Sequence, residues 1–220
     1  MKKILFLFFF VTFIVFLGGC SYFPKDANQT LEEVQNNILK VGLSGYDPDA
    51  DVSPEPVNGQ IGFVRQFARE INAKILWVKG SQGDITELLR HHELHMAIGG
   101  YTPDSPFKQE VTLSKPYFTE KIRIAGRGRT VPDRIKNEQV IVTDYLIAMY
   151  VRKLGAIPVM SSDSVVPGNI LIAAGENELN RIGVPQNGRI LHKLEYVVAV
   201  PMGENAFLTT LEKFIDQYGK

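Results

Sequence analysis

Apolar positions divide the chain into short segments whose period alternates between that of a strand and that of a helix. The runs 38–43, 74–78 and 94–99 are short and apolar, as buried strands are. Between them, 61–72 and 84–90 each place apolar residues on one helical stripe. An order of strand, helix, strand, helix, strand predicts a parallel sheet that is covered by helices.

Two details complete the predicted first unit. The segment 31–37 is a short polar helix candidate before the first strand, and Asp84 is predicted to cap the helix that runs through Arg90. The segment 44–56 is rich in proline and acidic residues, and 101–118 carries three prolines, so both are predicted as loops.

The second half of the chain repeats this alternation in less room. Its predicted elements are a strand at 121–125, a surface crossing at 126–136, a strand at 140–142, a helix at 144–154, strands at 157–160, 169–173 and 194–201, and a closing amphipathic helix at 205–218. Only eight residues separate positions 160 and 169. An ordinary helix has about 11 residues, so this second unit is predicted to be reduced.

The N-terminus has the pattern of an export signal. Two lysines precede an uncharged apolar run at 4–17, which is shorter than the ~20 residues of a membrane span. Leu17-Gly18-Gly19-Cys20 follows and resembles the bacterial lipobox, in which the cysteine is acylated and becomes the mature N-terminus. We therefore expect a lipoprotein signal peptide at 1–19, lipidation of Cys20 and a tether at 20–30; an uncleaved signal anchor is the alternative.

Composition limits the binding partners and the chemistry that the chain can have. Cys20 is the only cysteine, so its acylation would leave no thiol for disulfides, metal sites or nucleophilic catalysis. The formal net charge is zero and no lysine-rich tract follows Cys20, so we expect no nucleic-acid partner and membrane contact through the lipid anchor only. These features predict a lipid-anchored protein of the periplasm or cell envelope. Ser21 favours the outer membrane if the cell has two membranes.

Chemistry beyond binding is not indicated. The run from His91 to His95 contains three histidines, but a predicted strand start at Leu94 would separate them, and no partner motif supplies a third zinc ligand. The sequence has no H-E-x-x-H, G-x-S-x-G or phosphate-binding motif. We therefore expect no metal, no cofactor and no enzymatic activity.

Five motifs in order carry a family resemblance. They are Leu39-Lys40-Val41-Gly42, Gly59-x-x-Gly62-Phe63, Leu88-Leu89 with Met96-Ala97-Ile98-Gly99-Gly100, Leu113-Ser114-Lys115-Pro116-Tyr117, and Tyr196-Val197-Val198-Ala199-Val200-Pro201-Met202-Gly203. Together they resemble the bacterial extracellular solute-binding proteins of family 3, the receptors of polar amino-acid ABC transporters.

The resemblance implies a fold and a division of the chain. The fold class is α/β, a two-lobed periplasmic-binding-protein-like fold of type II with a reduced second lobe. Lobe 1 would comprise 31–120 with 201–220, and lobe 2 would comprise 121–200. Lobe 2 includes two crossover strands near 119–125 and 193–200. The closing helix would return to pack on lobe 1.

Ligands of open α/β sheets sit beyond the carboxyl ends of strands, which predicts where the site residues lie. The predicted ligand-binding residues are Tyr46, Gly99, Gly100, Tyr101, Thr102, Phe107, Lys108, Thr143, Asp144 and Glu176. The aromatic residues would stack on a ligand, the glycines would let backbone amides approach it, and Thr143 heads a helix whose N–H groups suit an anion. Ordinary alternatives for these residues are loop packing, a turn and an N-cap.

Two positions depart from the family. Phe107, with Lys108 beside it, stands where the family places an arginine for the substrate carboxylate. Ala174 stands where the family places an aspartate for the substrate ammonium, and Glu176 is displaced from it. The resemblance implies the substrate-binding component of an ABC-type uptake system, and the two departures favour a solute with less charge than an amino acid. This component would hold a small polar or weakly charged solute in an interlobe cleft and meet an ABC permease. The alternative is a sensory or regulatory lipoprotein that uses a degenerate solute-binding fold and meets a membrane sensor.

Overall fold

The computed structural model of the protein describes residues 24–44, 57–143, 145–161, 168–186 and 188–218. The predicted signal peptide, Cys20, Tyr46 and Asp144 lie outside the described residues. The described elements form two five-stranded sheets. In chain order they are α1 (Thr30–Val34), β1 (Ile38–Ser44), α2 (Val57–Glu70), β2 (Lys74–Gly80), α3 (Gln82–Arg90), β3 (Met96–Ile98), β4 (Thr112–Leu113), β5 (Phe118–Arg127), β6 (Gln139–Val142), α4 (Tyr145–Lys153), β7 (Ile157–Met160), β8 (Ile170–Gly175), α5 (Glu176–Arg181), β9 (Ile190–Tyr196), β10 (Ala199–Val200) and α6 (Asn205–Tyr218).

The first sheet has the order β2-β1-β3-β10-β4, and β1, β2 and β3 are parallel. Leu39, Val41 and Leu43 of β1 are buried in the cluster that also contains the apolar faces of α2 and α6. The ideal Cβ at Gly42 would meet Ile85 of α3, so α3 covers the opposite face. Both faces of this sheet are therefore covered, as a parallel sheet requires.

The second sheet has the order β7-β6-β8-β5-β9. Strands β6, β7 and β8 are parallel, whereas β5 runs antiparallel to both β8 and β9. Ile147, Ala148 and Val151 of α4 are buried on one face, and Leu179 of α5 is buried on the other. Each helix is short, so this sheet has a thinner cover than the first.

Two strands connect the sheets, which confirms the predicted two-lobed α/β fold class. The backbone N–H of Ser114 donates to Val198 O at 2.9 Å, and Ser114 Oγ accepts from the backbone N–H of Val198 at 3.0 Å. Tyr117 N–H donates to Tyr196 O at 3.0 Å where β5 and β9 begin to pair. The outgoing and returning chains are thus hydrogen-bonded side by side, and we call residues 114–117 with 196–198 the hinge.

The predicted lobe boundaries stay a prediction, and the pairing adds detail to them. Ala199 pairs with Ala97, and Val200 pairs with Thr112, so β10 belongs to the first sheet. Phe118, Thr119 and Glu120 pair with β9 in the second sheet. Val197 N–H donates to Tyr101 O instead of continuing β9, which breaks the predicted strand 194–201 in two.

Several predicted boundaries are wrong for local reasons. Ser81, and not Asp84, caps α3, because Ser81 Oγ accepts from the N–H of Asp84. The third strand begins at Met96 and not at position 94, because Glu93 N–H still closes the preceding turn on Leu88 O. The helix α5 was not predicted, because its mostly polar sequence buries only Leu179. The closing helix at 205–218 is confirmed.

The closing helix packs on the first sheet, as expected. Phe67 and Phe207 have ring centroids 5.8 Å apart, and Phe63 and Phe214 have centroids 5.5 Å apart. Among the described residues, no helix is both long enough and apolar enough to cross a membrane.

Candidate functional site

The carboxyl ends of the parallel strands define one edge of each sheet. In the first sheet, β1 ends at Ser44 and β3 ends at Ile98. In the second sheet, β6 ends at Val142 and β8 ends at Gly175. Because β5 is antiparallel to β8, its first residues lie at the same edge as Gly175. The hinge joins these two edges, so we call them together the cleft edge.

Gly99 and Gly100 form the turn that leaves β3 at the cleft edge. Their φ angles are +96° and +88°, in the region that glycine enters without steric cost. A Cβ at Gly99 would lie 2.8 Å from the backbone N and O of Ser44, so the end of β1 packs directly on this turn. Gly100 is exposed. That these glycines let backbone amides approach a ligand stays a prediction.

Two glutamines that the sequence analysis missed border this turn. Gln60 of α2 is only 3% exposed, and its Oε1 accepts from Gly99 N–H at 3.2 Å and from Tyr117 OH at 2.9 Å. Burial raises the pKa of Tyr117 well above its ordinary value, so this hydroxyl stays a donor. Gln60 therefore ties the turn to the hinge.

Gln82 offers a donor at the same place. A Cβ at Gly100 would lie 3.8 Å from Gln82 Nε2. This nitrogen is shielded from solvent and has no acceptor among the residues that the structure describes. A buried amide without a partner loses hydrogen bonding that it would have in water, so an acceptor supplied from outside would stabilise it.

The residues after the turn divide between core and surface. Tyr101 is 0% exposed, its hydroxyl lies 2.9 Å from Thr86 Oγ1, and burial raises its pKa. Its ring belongs to the apolar cluster under α3 and is not exposed at the cleft edge. Thr102 is buried, Phe107 is half-buried against the same cluster, and Lys108 is exposed.

The predicted residues of the second sheet are similarly divided. Thr143 is exposed immediately after β6. Glu176 accepts from Arg123 through Nη2 at 2.7 Å and Nε at 3.2 Å, and Lys121 Nζ lies 4.0 Å from its other oxygen. Arg123 also donates to Gly188 O at 2.7 Å. Glu176, the first residue of α5, is thus engaged by a side chain of the second sheet.

Glu120 is a buried carboxylate at the cleft edge that sequence reasoning missed. It is 9% exposed, and its Oε2 accepts from Tyr196 OH at 3.2 Å. A Cβ at Gly175 would overlap its carboxylate, so the absence of a side chain there makes room for it. The signal was available: Glu120 is in phase with the buried Ile122 and Ile124 of β5, which marks an inward position.

Ala174, where the resemblance predicted the family's aspartate position, is buried on the other face of the second sheet, in the cluster with Leu179. Glu120 and Gly175 lie on the face of Ile122, since Ile122 pairs with Gly175. The second lobe therefore carries a carboxylate at the cleft edge, on β5 and not on β8.

The histidine run has separate partners. His91 Nε2 lies 2.9 Å from Glu87 Oε1, His92 lies 3.1 Å from Asn28 Nδ2, and His95 Nδ1 accepts from the N–H of Lys40 at 3.0 Å. Within the described part of the chain, no three histidine, cysteine, aspartate or glutamate side chains are grouped for a metal ion.

Comparison with solved structures gives the fold an identity. A binding component of an ABC transporter from Wolinella succinogenes, complexed with lysine, has a TM-score of 0.64 and 18% identity, with 83% of this chain and 90% of that chain covered. The arginine-bound, truncated ArgBP of T. maritima has a TM-score of 0.58 and 16% identity, with 82% and 96% covered. The chain has the two-lobed periplasmic-binding-protein fold.

A third neighbour is an ancestral cationic amino-acid solute-binding protein, AncCDT-1, with a TM-score of 0.64 and 18% identity, covering 86% of this chain and 93% of that chain. It is also described as a precursor of cyclohexadienyl dehydratase. No protein-family model and no curated protein matches the chain. At these identities the likeness establishes the fold.

Proposed function

We propose that the protein is a lipid-anchored extracytoplasmic solute-binding protein, the substrate-binding component of an ABC-type uptake system for a small polar or weakly charged solute. The observation that carries this proposal is the cleft edge, where the unpartnered donor of Gln82 borders one sheet and the buried carboxylate of Glu120 borders the other. The structural neighbours that bind lysine and arginine support a solute-binding role.

The solute class follows from which charges are available. An ordinary amino acid brings both a carboxylate and an ammonium group into a dry cleft, and each needs a matched partner. Phe107 cannot replace a bidentate arginine, and Lys108 is a single point charge that lies exposed. Glu176 is already engaged by Arg123. A solute with less charge than an amino acid fits these groups better.

We propose that the solute contacts residues at the cleft edge of both sheets. The proposed contact residues are Tyr46, Gly99, Gly100, Thr102, Phe107, Lys108, Thr143 and Asp144, with Gln82 and Glu120 added. Tyr101 is proposed to support the turn from below, because its ring is buried and its hydroxyl is occupied. Glu176 is proposed to orient Arg123 instead of the solute.

The proposed anchor is Cys20, which would hold the protein at the cell envelope, on the outer membrane if there are two. Cys20→Ser should move the protein from the membrane fraction to the soluble fraction. If the serine variant stays with the membrane in the same amount, the anchor assignment fails.

We propose binding without catalysis, although one neighbour is related to a dehydratase. At the cleft edge the described residues offer hydrogen bonds and apolar contact, and Glu120 shares its carboxylate with Tyr196. A conversion of the bound solute, detected by mass spectrometry after incubation, would contradict this part of the proposal.

The deciding experiment is a thermal-shift screen with amino acids, amines, organic acids and neutral polar solutes. A solute at about 100 times its Kd should add about 2.7 kcal/mol to the free energy of unfolding. For any hit, Glu120→Gln and Gln82→Ala should each remove most of the shift. Glu93→Gln and Gln66→Ala are matched controls on exposed surface away from the cleft edge, and they should leave the shift intact. A shift that both site variants retain would place the site elsewhere.

The sensory alternative is favoured by one observation. The second lobe exposes apolar side chains on α4 and β7, including Tyr145 at 67% and Met160 at 57%. Such a surface suits a protein partner. Neighbouring genes for a permease and an ATPase would favour uptake, and a neighbouring sensor kinase or cyclase would favour signalling.

A further inference from the structure

Two tyrosines lie side by side where the crossing strands leave one lobe and enter the other. The backbone N–H of Tyr117 donates to Tyr196 O at 3.0 Å. On the outgoing strand, the next residue, Phe118, already pairs in the second sheet. On the returning strand, the next residue, Val197, already donates its N–H to Tyr101 O in the first lobe at 3.0 Å. Both strands therefore pass from one lobe to the other at the level of this pair.

The side chain of Tyr117 is held by the first lobe. Its ring packs against Phe63 of α2, with ring centroids 4.4 Å apart, and its hydroxyl donates to Gln60 Oε1 at 2.9 Å. The same oxygen accepts from Gly99 N–H at 3.2 Å. A carbonyl oxygen has two lone pairs, so these two donors use both of them. The hydroxyl of this hinge tyrosine and the glycine turn of the cleft edge thus share one acceptor.

The side chain of Tyr196 is held by the second lobe instead. Its hydroxyl donates to Glu120 Oε2 at 3.2 Å, and its ring centroid lies 6.0 Å from that of Phe118. Both partners belong to β5. Glu120 is also the buried carboxylate of the cleft edge that is proposed to contact the solute. The two hinge tyrosines are therefore connected to the cleft edge on opposite sides, one to the glycine turn and the other to this carboxylate.

These side-chain contacts limit where the chain can bend. Motion between lobes is absorbed by a few residues whose φ and ψ angles change. Tyr117 should move with the first lobe, because α2 holds both its ring and its hydroxyl. Tyr196 should move with the second lobe, because β5 holds its hydroxyl. Rotation of one lobe against the other is then confined to the linkages at 117–118 and 196–197.

We propose that Tyr117 and Tyr196 form the pivot of cleft closure, and that Gln60 is a positioning residue that couples this pivot to the glycine turn. The role in closure rests on the proposed solute-binding function. A ligand shifts a conformational equilibrium only through its different affinity for the two states. A solute that contacts the glycine turn and Glu120 acts on the groups that hold the pivot, so its binding favours one angle between the lobes.

The test uses the soluble Cys20→Ser chain without any solute. Because Cys20 is the only cysteine, Gln66→Cys on α2 and Asn177→Cys on α5, both at exposed positions, give one spin label on each lobe. Pulsed electron paramagnetic resonance then measures the distribution of distances between the labels. Tyr117→Phe and Tyr196→Phe should each widen this distribution, because each change frees a hinge residue from its lobe and keeps the ring. An unchanged width in either variant would overturn the pivot.

One tyrosine in each lobe supplies a matched control. Tyr218→Phe in the first lobe and Tyr150→Phe in the second remove a hydroxyl and keep the ring contacts with Phe63 and His192. Neither hydroxyl belongs to the hinge bonds, so the width should stay that of the parent chain. If these controls widened the distribution as much as the hinge variants do, the cause would be general loosening, and the pivot would be wrong.

Two further measurements test Gln60. Tyr117→Phe added to Gln60→Leu should widen the distribution no more than Gln60→Leu alone, because both changes remove the same hydrogen bond. In Tyr117→Phe, Gln60 loses one of its two donors, so the amide proton of Gly99 should exchange several-fold faster with solvent. Tyr196→Phe should leave this exchange rate unchanged, since its hydroxyl bonds to the other lobe. Additive widening, or the same Gly99 exchange rate in Tyr117→Phe as in the parent chain, would overturn the coupling through Gln60.

The outcomes separate the pivot from the solute-binding function. If no solute of the thermal-shift screen raises the stability of the chain but both hinge variants widen the distribution, the function fails and the pivot stands. If a solute raises the stability but the hinge variants keep the parent width, the pivot fails and the function stands.

Discussion

The two sheets have the same number of strands but very different cover. The first is flanked by the long helices α2 and α6, each of 14 residues, whereas α4 has nine residues and α5 has six. Among the residues that the structure describes, ten large apolar side chains are exposed, and seven of them lie in the second lobe: Tyr145, Met149, Leu154, Ile157, Val159, Met160 and Ile190. Buried apolar surface is the dominant stabilising term, so we infer that the first lobe holds most of the stability.

From this difference in cover we infer that the two lobes have different roles. A lobe with few buried apolar contacts opens at lower free energy than one with many, and binding elements are drawn from that low-stability end. The first lobe would be the platform, tied to the tether and carrying the glycine turn. The second lobe would be the part that closes on a solute.

The largest expected effect comes from the core of the first lobe. Phe67 is fully buried between Phe207 and Phe214. Phe67→Ala should lower the free energy of unfolding by about 3–5 kcal/mol, because it leaves a cavity where two helices meet. Met160→Ala on β7 should change it by less than about 0.5 kcal/mol. Urea unfolding measures both, and similar losses in the two variants would contradict the comparison.

Three glycine-to-alanine changes test the difference in packing between the two lobes more finely. At Gly42 a Cβ would lie 2.5 Å from Ile85 Cγ2 in the packed core, so Gly42→Ala should cost about 1–3 kcal/mol. At Gly175 the Cβ meets the end of a flexible side chain, so Gly175→Ala should cost less but displace the Glu120 carboxylate and weaken solute binding. Gly62 has open space in α2, so Gly62→Ala should stabilise by about 0.5–1 kcal/mol.

Urea unfolding gives the three stabilities, and calorimetry with a solute from the screen gives the binding. If Gly175→Ala lost more stability than Gly42→Ala, the second lobe would be the tighter packed of the two.

The fold was largely predictable because its signals are local. The stripe of α6 and the strand runs of β1, β2, β6 and β7 depend on period alone, and the structure places them within one or two residues of the predicted ranges. Cap choice was not predictable in the same way. Ser81 and Asp84 are both good N-cap residues, and only the backbone geometry decides which oxygen reaches the free N–H.

The site was less predictable because it depends on contacts between distant segments. The alternating strand was predicted only from 121, so the inward phase of Glu120 was not used, although β5 begins at Phe118. Tyr101 was predicted as a stacking wall because it follows a glycine turn, but Thr86 on α3 engages its hydroxyl and its ring is buried. The break between β9 and β10 depends on the carbonyl of Tyr101, which accepts from Val197 N–H and lies far earlier in the chain.

The N-cap of α3 gives the next prediction, with a smaller expected effect on the free energy of unfolding. Ser81→Ala removes the acceptor of the Asp84 N–H and should cost about 1 kcal/mol. Asp84→Ala leaves this acceptor in place and should cost less. The order of the two losses in urea unfolding distinguishes the observed cap from the predicted one. A larger loss in Asp84→Ala would favour the predicted one.

The last prediction concerns the loss of stability at low pH that the buried side chain of His95 causes in the first lobe. Burial lowers the pKa of His95 below its usual 6.5, and Glu33 opposes this only in part. Its Nδ1 accepts from Lys40 N–H, so the folded protein holds the neutral ring. A group whose pKa is lower in the folded state contributes stability above its unfolded pKa, and this contribution is lost as the pH falls toward the folded value. Stability should therefore drop from about pH 8 to about pH 5.

Trp77, the only tryptophan, lies in β2 of the first sheet and reports on this lobe by fluorescence during urea unfolding. His95→Asn should flatten the pH dependence, because it removes the titrating ring whatever its effect on stability at neutral pH. His91→Gln, at an exposed position in contact with Glu87, is the matched control and should leave most of the dependence. If the wild-type chain and His95→Asn lost stability in parallel on acidification, the acid response would arise elsewhere, and the first lobe would not be its source.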